Sequence, residues 1–353
     1  MSDKIKVLMI GPDRGVHGGI SALVNSYYAV GLQDRVELKY ISTMKEGSKL
    51  KKLMIAGLAF ADFMRVLDRY DIVHVNCSSD SSFMRKSLFI KYAKRHGKKV
   101  LLHQHGGDFV NYYNNELNEK KKRYVRDILD MADEMLVLTD KWREFFGALT
   151  DKSKIHVLPN GVVTAGIDQA KAGVGDANKI LFLGRICKDK GVKELIDATI
   201  ELHKENDKVM LYLGGIFEEP DFIKDVEENS TFIKHIGWVS GFEKNRYLDE
   251  CGIMALPSYF EGFGLSVVEG MLHGCCVVAS DVGGIPDIVD DETDGLLVPP
   301  KDAAALKNAI ERVMKDKNLA DKLSGNGKKK ALEKYSIEKI VSQLLSHYRE
   351  ILR

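Results

Sequence analysis

No apolar run in this sequence approaches the roughly 20 residues that a membrane-spanning helix needs, so no transmembrane segment is expected. The opening Met1-Ser2-Asp3-Lys4-Ile5-Lys6 passes directly into a strand-like stretch, without the apolar core of a secretory leader. Five cysteines (Cys77, Cys187, Cys251, Cys275 and Cys276) form no C-x-x-C pair. That argues against a zinc site or a disulfide framework and suits a reducing cytosol. Internal repeats and low-complexity tracts are missing as well. The G-x-G-x-x-G fingerprint of dinucleotide binding is absent, which weakens any reading as a nicotinamide dehydrogenase. No Asp-x-Asp pair stands at a strand end, so no metal is expected at the site.

What is present fits a soluble globular chain of 353 residues, 44% hydrophobic and 29% charged, long enough for two domains. The net charge of +1 hides an asymmetry. Residues 1–160 carry 27 Lys and Arg against 19 Asp and Glu, whereas the remainder carries 25 against 32. Only the first half is therefore expected to face something anionic, unless the imbalance is drift of surface charge.

Short β-branched runs recur between helix-length segments. Six lie in the first half, at 4–11, 36–42, 72–77, 98–105, 134–139 and 154–160. Six more follow at 179–186, 209–215, 232–239, 252–258, 275–280 and 295–299. Near-continuous apolar runs mark strands buried on both faces, and alternation with helices marks parallel sheets. The expected fold is α/β, with two facing Rossmann-like domains and a ligand cleft between them. The stretch 159–179, rich in Gly, Ala and Asp, reads as the linker. Domains are expected at 1–163 and 164–337. The segment 336–352 has helical apolar spacing, and its helix (338–353) is a candidate to pack back on the first domain.

Ligands of open parallel sheets bind beyond the carboxyl ends of the strands. The segments after the strands are accordingly the informative ones. "GPDRGVHGGISALV" (11–24) places Gly15, Gly18 and Gly19 before a helix, where backbone N–H groups suit a phosphate or an acceptor. "LLHQHGGDF" (101–109) ends a strand at His105, a candidate site residue. His103 reads more readily as structural, and Asp108 as a hydroxyl holder or a helix cap. "LGRICKDKG" (183–191) offers Arg185, a planar fork for phosphate oxygens, and Lys190, a point charge. "ALPSYFEGFGLSVVEGMLHG" (255–274) reads as strand, loop and helix, with Glu261 and Glu269 on either side of the turn Gly262-Phe263-Gly264-Leu265-Ser266. The N–H groups at that helix start suit a phosphate or a sugar oxygen, and the two carboxylates suit vicinal hydroxyls. "ASDVGGIPDIV" (279–289) is a loop over the ligand or a plain turn. "SKLKKLMIAGLAFADFMRVLDRYD" (48–71) is a core helix with a basic entry or an amphipathic helix for an anionic membrane surface.

Together these residues resemble the retaining glycosyltransferases of family 4, which have the GT-B fold. The resemblance rests on E-x7-E as "EGFGLSVVE", followed by "HGCCVVASDVGGIPDIV", with "GR...K" and "PNGV" (159–162) upstream, and it covers nearly the whole chain. The first half is similar to members that build capsular, exopolysaccharide and O-antigen chains. The resemblance implies an acceptor-binding first domain and a donor-binding second one. It implies that Arg185 and Lys190 hold the donor diphosphate, that Glu269 takes the ribose hydroxyls, and that Glu261 takes hydroxyls of the moving sugar. Phe263, Gly264 and Leu265 would add backbone donors, Gly18 and Gly19 would form the first domain's glycine loop, and His105 would sit by the sugar. Asp287 and Ser266 stand where Glu and Pro are common, which leaves the donor's identity open.

The expected function is transfer of a sugar from a nucleotide diphosphate sugar, with uridine favoured by the resemblance alone, to a glycan or lipid-linked saccharide in bacterial surface polysaccharide synthesis. No cofactor and no nucleic-acid partner are expected, and the expected place is the cytoplasm or the inner membrane face. The rivals are a non-catalytic nucleotide-sugar-binding component of an assembly complex and a retaining glycoside hydrolase. The latter would have two carboxylates about 5 Å apart but no use for Arg185 and Lys190.

Overall fold

The computed structural model describes residues 4–106, 109–167 and 175–353. Twelve strands form two six-stranded sheets in which every neighbouring pair runs parallel. The first sheet holds β1 (Lys6–Gly11), β2 (Glu37–Ser42), β3 (Ile72–Cys77), β4 (Lys99–Gln104), β5 (Glu134–Val137) and β6 (Ile155–Val157), in the order β2-β1-β3-β4-β5-β6. The second holds β7 (Asp176–Leu183), β8 (Met210–Gly214), β9 (Ile233–Gly237), β10 (Cys251–Leu256), β11 (Cys276–Ser280) and β12 (Leu296–Val298), in the order β12-β11-β10-β7-β8-β9.

Each apolar run in the sequence thus became a strand. The reason is visible in β3, β10 and β11, where every residue is buried. A strand covered on both faces has no position for a solvent-facing polar residue, so its sequence does not alternate. In each sheet the winding reverses once, between β1 and β3 in the first and between β7 and β10 in the second. Loops leaving two adjacent strands at such a reversal diverge to opposite faces and leave a crevice at the sheet edge.

The chain divides into two compact units, Met1–Val163 with Ser336–Arg353, and Thr164–Tyr335. The terminal helix Ile337–Glu350 belongs to the first. Ser336 caps it by accepting from the Lys339 N–H, and Val162 bridges to Ser336 as in a parallel ladder. Ile337, Ile340, Val341, Leu344 and Tyr348 are fully buried in one cluster with Leu23, Val24 and Tyr27. Each such side chain contributes about 1.5–3 kcal/mol of burial, so the helix is part of that unit's core rather than an appendage.

The linker expected at 159–179 differs at both ends. Asn160 and Val162 are buried, and Gly161 lies so close to Ile337 that a Cβ would come within 2.9 Å of the Ile337 Cα. At the other end β7 begins at Asp176, paired with Cys251. Strand limits follow backbone pairing, and the polar Asp176, Asn178 and Lys179 do not announce it. Residues 168–174 lie outside the described residues.

Candidate active site

In the second unit, the segments after β7 and β10 leave the sheet at its reversal point. They are held together by contacts that only particular residues allow. Gly191 adopts φ +66°, and a Cβ there would stand 1.9 Å from the Pro257 carbonyl oxygen. The Tyr259 N–H donates to the Asp189 carbonyl at 2.8 Å, and the Tyr259 hydroxyl donates to Glu194 Oε1 at 2.5 Å. Burial first, and the Glu194 carboxylate second, push the Tyr259 hydroxyl well above its ordinary pKa. The loop carrying Lys190 is thereby fixed against the loop carrying Glu261.

Their side chains meet. Lys190 Nζ donates to Glu261 Oε2 at 2.5 Å, and each side chain is 17% exposed. An ammonium has three donors. With one engaged by Glu261, two remain for a ligand's oxygens. A third segment closes on the same carboxylate residue from β11. The Gly284 N–H donates to the Glu261 carbonyl at 3.0 Å, and Gly283 has φ +56° with a would-be Cβ only 1.8 Å from that oxygen. The glycines of "DVGGIP" therefore serve close backbone packing against Glu261.

Gly264 follows at φ +91° and opens the helix Leu265–His273, which no side chain of the described residues caps. Its first N–H groups lack intrahelical acceptors by geometry, and the helix dipole places positive charge there. Gly262 is buried, while Leu265 and Ser266 are half-buried. The Phe263 ring is turned inward and packs edge-on against Tyr335 at 5.9 Å, so only its backbone is available to a ligand.

One turn along the helix, Glu269 Oε1 accepts from Lys244 Nζ at 2.6 Å. The Glu269 side chain is 14% exposed and the Lys244 side chain 27%. The E-x7-E segment thus carries a lysine–glutamate pair at each end. Lys244 is not legible in sequence: it is one lysine on the helix Gly241–Glu250, in no motif. Arg185 follows β7 as expected but points elsewhere. Its Nη1 donates to Glu218 Oε2 at 2.7 Å, and more than half of its side chain is exposed. Arg185 and Lys190 therefore do not share a partner. Each is held by its own glutamate.

The remaining expected residues belong to the first unit. Gly18 (φ +155°) and Gly19 begin the helix Gly19–Ala29, and a Cβ on either would meet nothing within 4 Å. Their glycine identity is not demanded by packing, unlike that of Gly191 and Gly283. Residues at the carboxyl ends of the neighbouring strands β1, β3 and β4 converge. The Asn76 Nδ2 donates to the Ile10 carbonyl at 3.3 Å, which orients its amide, and the His105 Nε2–H donates to Asn76 Oδ1 at 2.9 Å. His105 Nδ1 is buried with no hydrogen-bond partner among the described residues. Burial, then the neighbouring His103 and His74, hold the His105 imidazole well below its ordinary pKa, so it is neutral. Asn76 was not singled out from sequence, although an amide inside the buried run "IVHVNC" was a signal. His103 is fully buried with its ring 4.0 Å from that of His105, whereas Gly107 and Asp108 lie outside the described residues. Among the described residues no group of three or more His, Cys, Asp or Glu side chains could hold a metal ion.

Two parallel doubly wound six-stranded sheets are the architecture of the GT-B fold. Comparison with known proteins agrees. The model for glycosyl transferases group 1 matches residues 166–330, and that for glycosyltransferase family 4 matches residues 33–165. The chain belongs to the family 4 glycosyltransferases. Among relatives, the alpha-D-kanosaminyltransferase of Streptomyces kanamyceticus is 28% identical over 51% of this chain and 47% of its own. A capsular polysaccharide biosynthesis glycosyltransferase of Staphylococcus aureus is 28% identical over 49% of this chain and 46% of its own. The chain spans about half the length of several curated relatives it matches. In fold it is similar to a sucrose-phosphate synthase from Thermosynechococcus elongatus, with a TM-score of 0.79, 21% identity and 99% of both chains covered. It is also similar to Anabaena HepE solved with UDP-glucose, with a TM-score of 0.76, 19% identity, and 98% of this chain and 100% of that one covered.

Proposed function

We propose that this protein transfers a sugar from a nucleotide diphosphate sugar to a hydroxyl of a saccharide or lipid-linked acceptor, with the anomeric configuration retained, in bacterial surface polysaccharide assembly. UDP is the favoured leaving group, in keeping with the UDP-glucose bound to Anabaena HepE. The observation that carries this reading is the Lys190–Glu261 pair beside the uncapped start of the helix Leu265–His273. In the reaction the bond from the sugar's anomeric carbon to the diphosphate breaks, and the diphosphate keeps the electron pair. A bond from that carbon to the acceptor oxygen forms, and the hydroxyl proton is released.

Lys190 stabilises the departing negative charge, and Arg185, more than half exposed, joins it by leaving Glu218. At about 4 Å and an effective dielectric near 20, one such cation is worth roughly 4 kcal/mol. The helix start adds about 0.3–2 kcal/mol, so the cations dominate. Glu261 holds Lys190 and takes hydroxyls of the moving sugar. Glu269 takes the ribose hydroxyls. Backbone N–H groups of Phe263 through Ser266 reach phosphate or sugar oxygens. Gly18 and Gly19 let backbone approach the ligand, and His105, neutral, is a hydrogen-bonding wall near the sugar. No cofactor or metal is assigned to these steps. A lipid-linked acceptor places the work at the inner face of the cell membrane, and the first unit takes the acceptor.

Thermal shift against UDP-, GDP- and dTDP-sugars tests the donor, because binding to the folded state raises the melting temperature. The UDP-sugars are expected to give the largest shift. Lys190→Ala and Arg185→Ala are expected to lose turnover at least a hundredfold, about 3 kcal/mol of transition-state stabilisation, with smaller changes in melting temperature. Near-full turnover in either variant would remove the diphosphate assignment. Proton NMR of the product's anomeric coupling decides retention against inversion.

A further inference from the structure

The helix Lys49–Val66 is apolar on two faces, and only one of them is covered. On the inner face Ala59, Phe63 and Val66 are buried. There Phe60 and Phe63 pack edge-on against Phe89, at 5.0 Å each, on the helix Asp80–Arg95. On the outer face Leu50, Leu53, Met54 and Leu58 are 77, 71, 59 and 65% exposed. Positions 50, 53, 54 and 58 form one stripe at helical spacing. A single exposed leucine is ordinary, but four large apolar side chains in a continuous stripe mark a surface that something covers.

The surroundings of the stripe are basic. Lys51 and Lys52 are exposed beside it, and the first turn of the helix contains no acidic residue. The first carboxylate on the helix, Asp62, is already engaged by Lys39 and Arg65. The adjoining helix Asp80–Arg95 adds Leu88, 55% exposed, and Lys91. The Lys91 ammonium lies 4.1 Å from the ring of Tyr124, on the helix Glu119–Met131, which brings the basic run Lys120–Arg123 next to it.

We propose that this face docks on an anionic phospholipid surface, with the four apolar side chains entering the headgroup boundary and the lysines meeting lipid phosphates. Lipid satisfies both halves of the pattern, because an interfacial helix needs an apolar face for the acyl boundary and cations for the charged headgroups. A second copy docked symmetrically would set Lys51 and Lys52 against themselves, with no exposed acid on the stripe to complement them. A nucleic-acid backbone would leave the leucines uncovered. The contact is peripheral, since no helix of the described residues is long and apolar enough to cross a membrane. The inference does not depend on the donor assignment.

The full chain would be sedimented with vesicles of phosphatidylcholine alone and of phosphatidylcholine mixed equally with phosphatidylglycerol. Binding is expected only to the second, and it should weaken as salt is raised. Lys51→Gln with Lys52→Gln is expected to reduce partitioning about 30-fold. Leu53→Ser with Leu58→Ser should reduce it more than tenfold. Both pairs are exposed, so melting temperatures and nucleotide-sugar thermal shifts should match the parent protein, which separates a failure of docking from a failure of the donor site. Absence of binding to the anionic vesicles, or equal binding by the variants, would overturn the proposal. So would a dimer in light scattering that Leu53→Ser dissociates, since it would give the stripe to a second copy.

Discussion

Lys244 shows what a single residue adds to this site. Its ammonium is the counter-ion of Glu269, the carboxylate proposed to hold the ribose. Removing one member of a buried pair leaves the other charge uncompensated, at a cost of several kcal/mol when burial is complete. Here both groups keep some solvent, so about 1–2 kcal/mol is the realistic scale. Lys244→Met is therefore expected to raise the donor KM about tenfold with kcat changed little, and Lys244→Arg should restore most of the loss. Steady-state kinetics with varied nucleotide sugar would measure the split, and a fall in kcat with unchanged KM would contradict the positioning role. Glu261 and Lys190 were legible as types in their motifs, but their mutual contact was not. They are 71 residues apart in sequence.

At the scale of elements, the glycines divide into two kinds that sequence does not distinguish. Gly283 is fixed by packing, since φ +56° and the Glu261 carbonyl exclude a side chain. Gly19 has an ordinary helical start and open space around its would-be Cβ. Gly283→Ala is expected to lower stability by at least 1–2 kcal/mol, the cost of a left-handed conformation for a residue with a Cβ. Gly19→Ala should leave the melting temperature unchanged within about 0.5 kcal/mol yet reduce turnover, because in the proposed function the added methyl stands where the ligand approaches. Chemical denaturation and initial rates on the same samples would show the contrast. Full turnover in Gly19→Ala would remove the glycine loop from the site.

The strands were the most legible elements, and β10 and β11 explain why: a strand buried on both faces is apolar almost from end to end. The helix Lys49–Val66 was the least legible. Leu50, Leu53, Met54 and Leu58 are as apolar as a core stripe, and nothing in their spacing tells whether a neighbour covers them. Sequence reading accordingly left core helix and surface helix both open, and the structure shows one face of each kind.

For the whole chain, acid sensitivity should follow from the first unit's core. His74 and His103 are fully buried, and burial holds His105, His74 and His103 below their ordinary pKa, His103 down to about 3. The rings of His74 and His103 lie 5.4 Å apart, and those of His103 and His105 lie 4.0 Å apart. His74 Nδ1 is hydrogen-bonded to the Tyr348 hydroxyl of the terminal helix at 2.6 Å. A group whose folded pKa is depressed binds its proton better when unfolded. Stability is then complete above the unfolded value, about 6.5, and declines as pH falls from there toward the folded values. Each such histidine contributes a slope of up to about 1.4 kcal/mol per pH unit. Melting temperature should be flat from pH 8 to 7 and fall steeply below 6, and His103→Phe should make that decline shallower. A pH-independent melting temperature between 7 and 5 would refute the buried neutral cluster.

Sequence alone determined the twelve strands, their division six and six, and the residue types that follow them, because local periodicity and the chemistry of turns are written in consecutive residues. Only the tertiary structure decided which charges meet: Lys190 with Glu261, Lys244 with Glu269, and Arg185 with Glu218 rather than beside Lys190. It alone placed the terminal helix in the first unit's core, with Tyr348 on His74, 274 residues away. Strand order brings such groups together. That order is set by how all the elements pack at once, which no single stretch of sequence records.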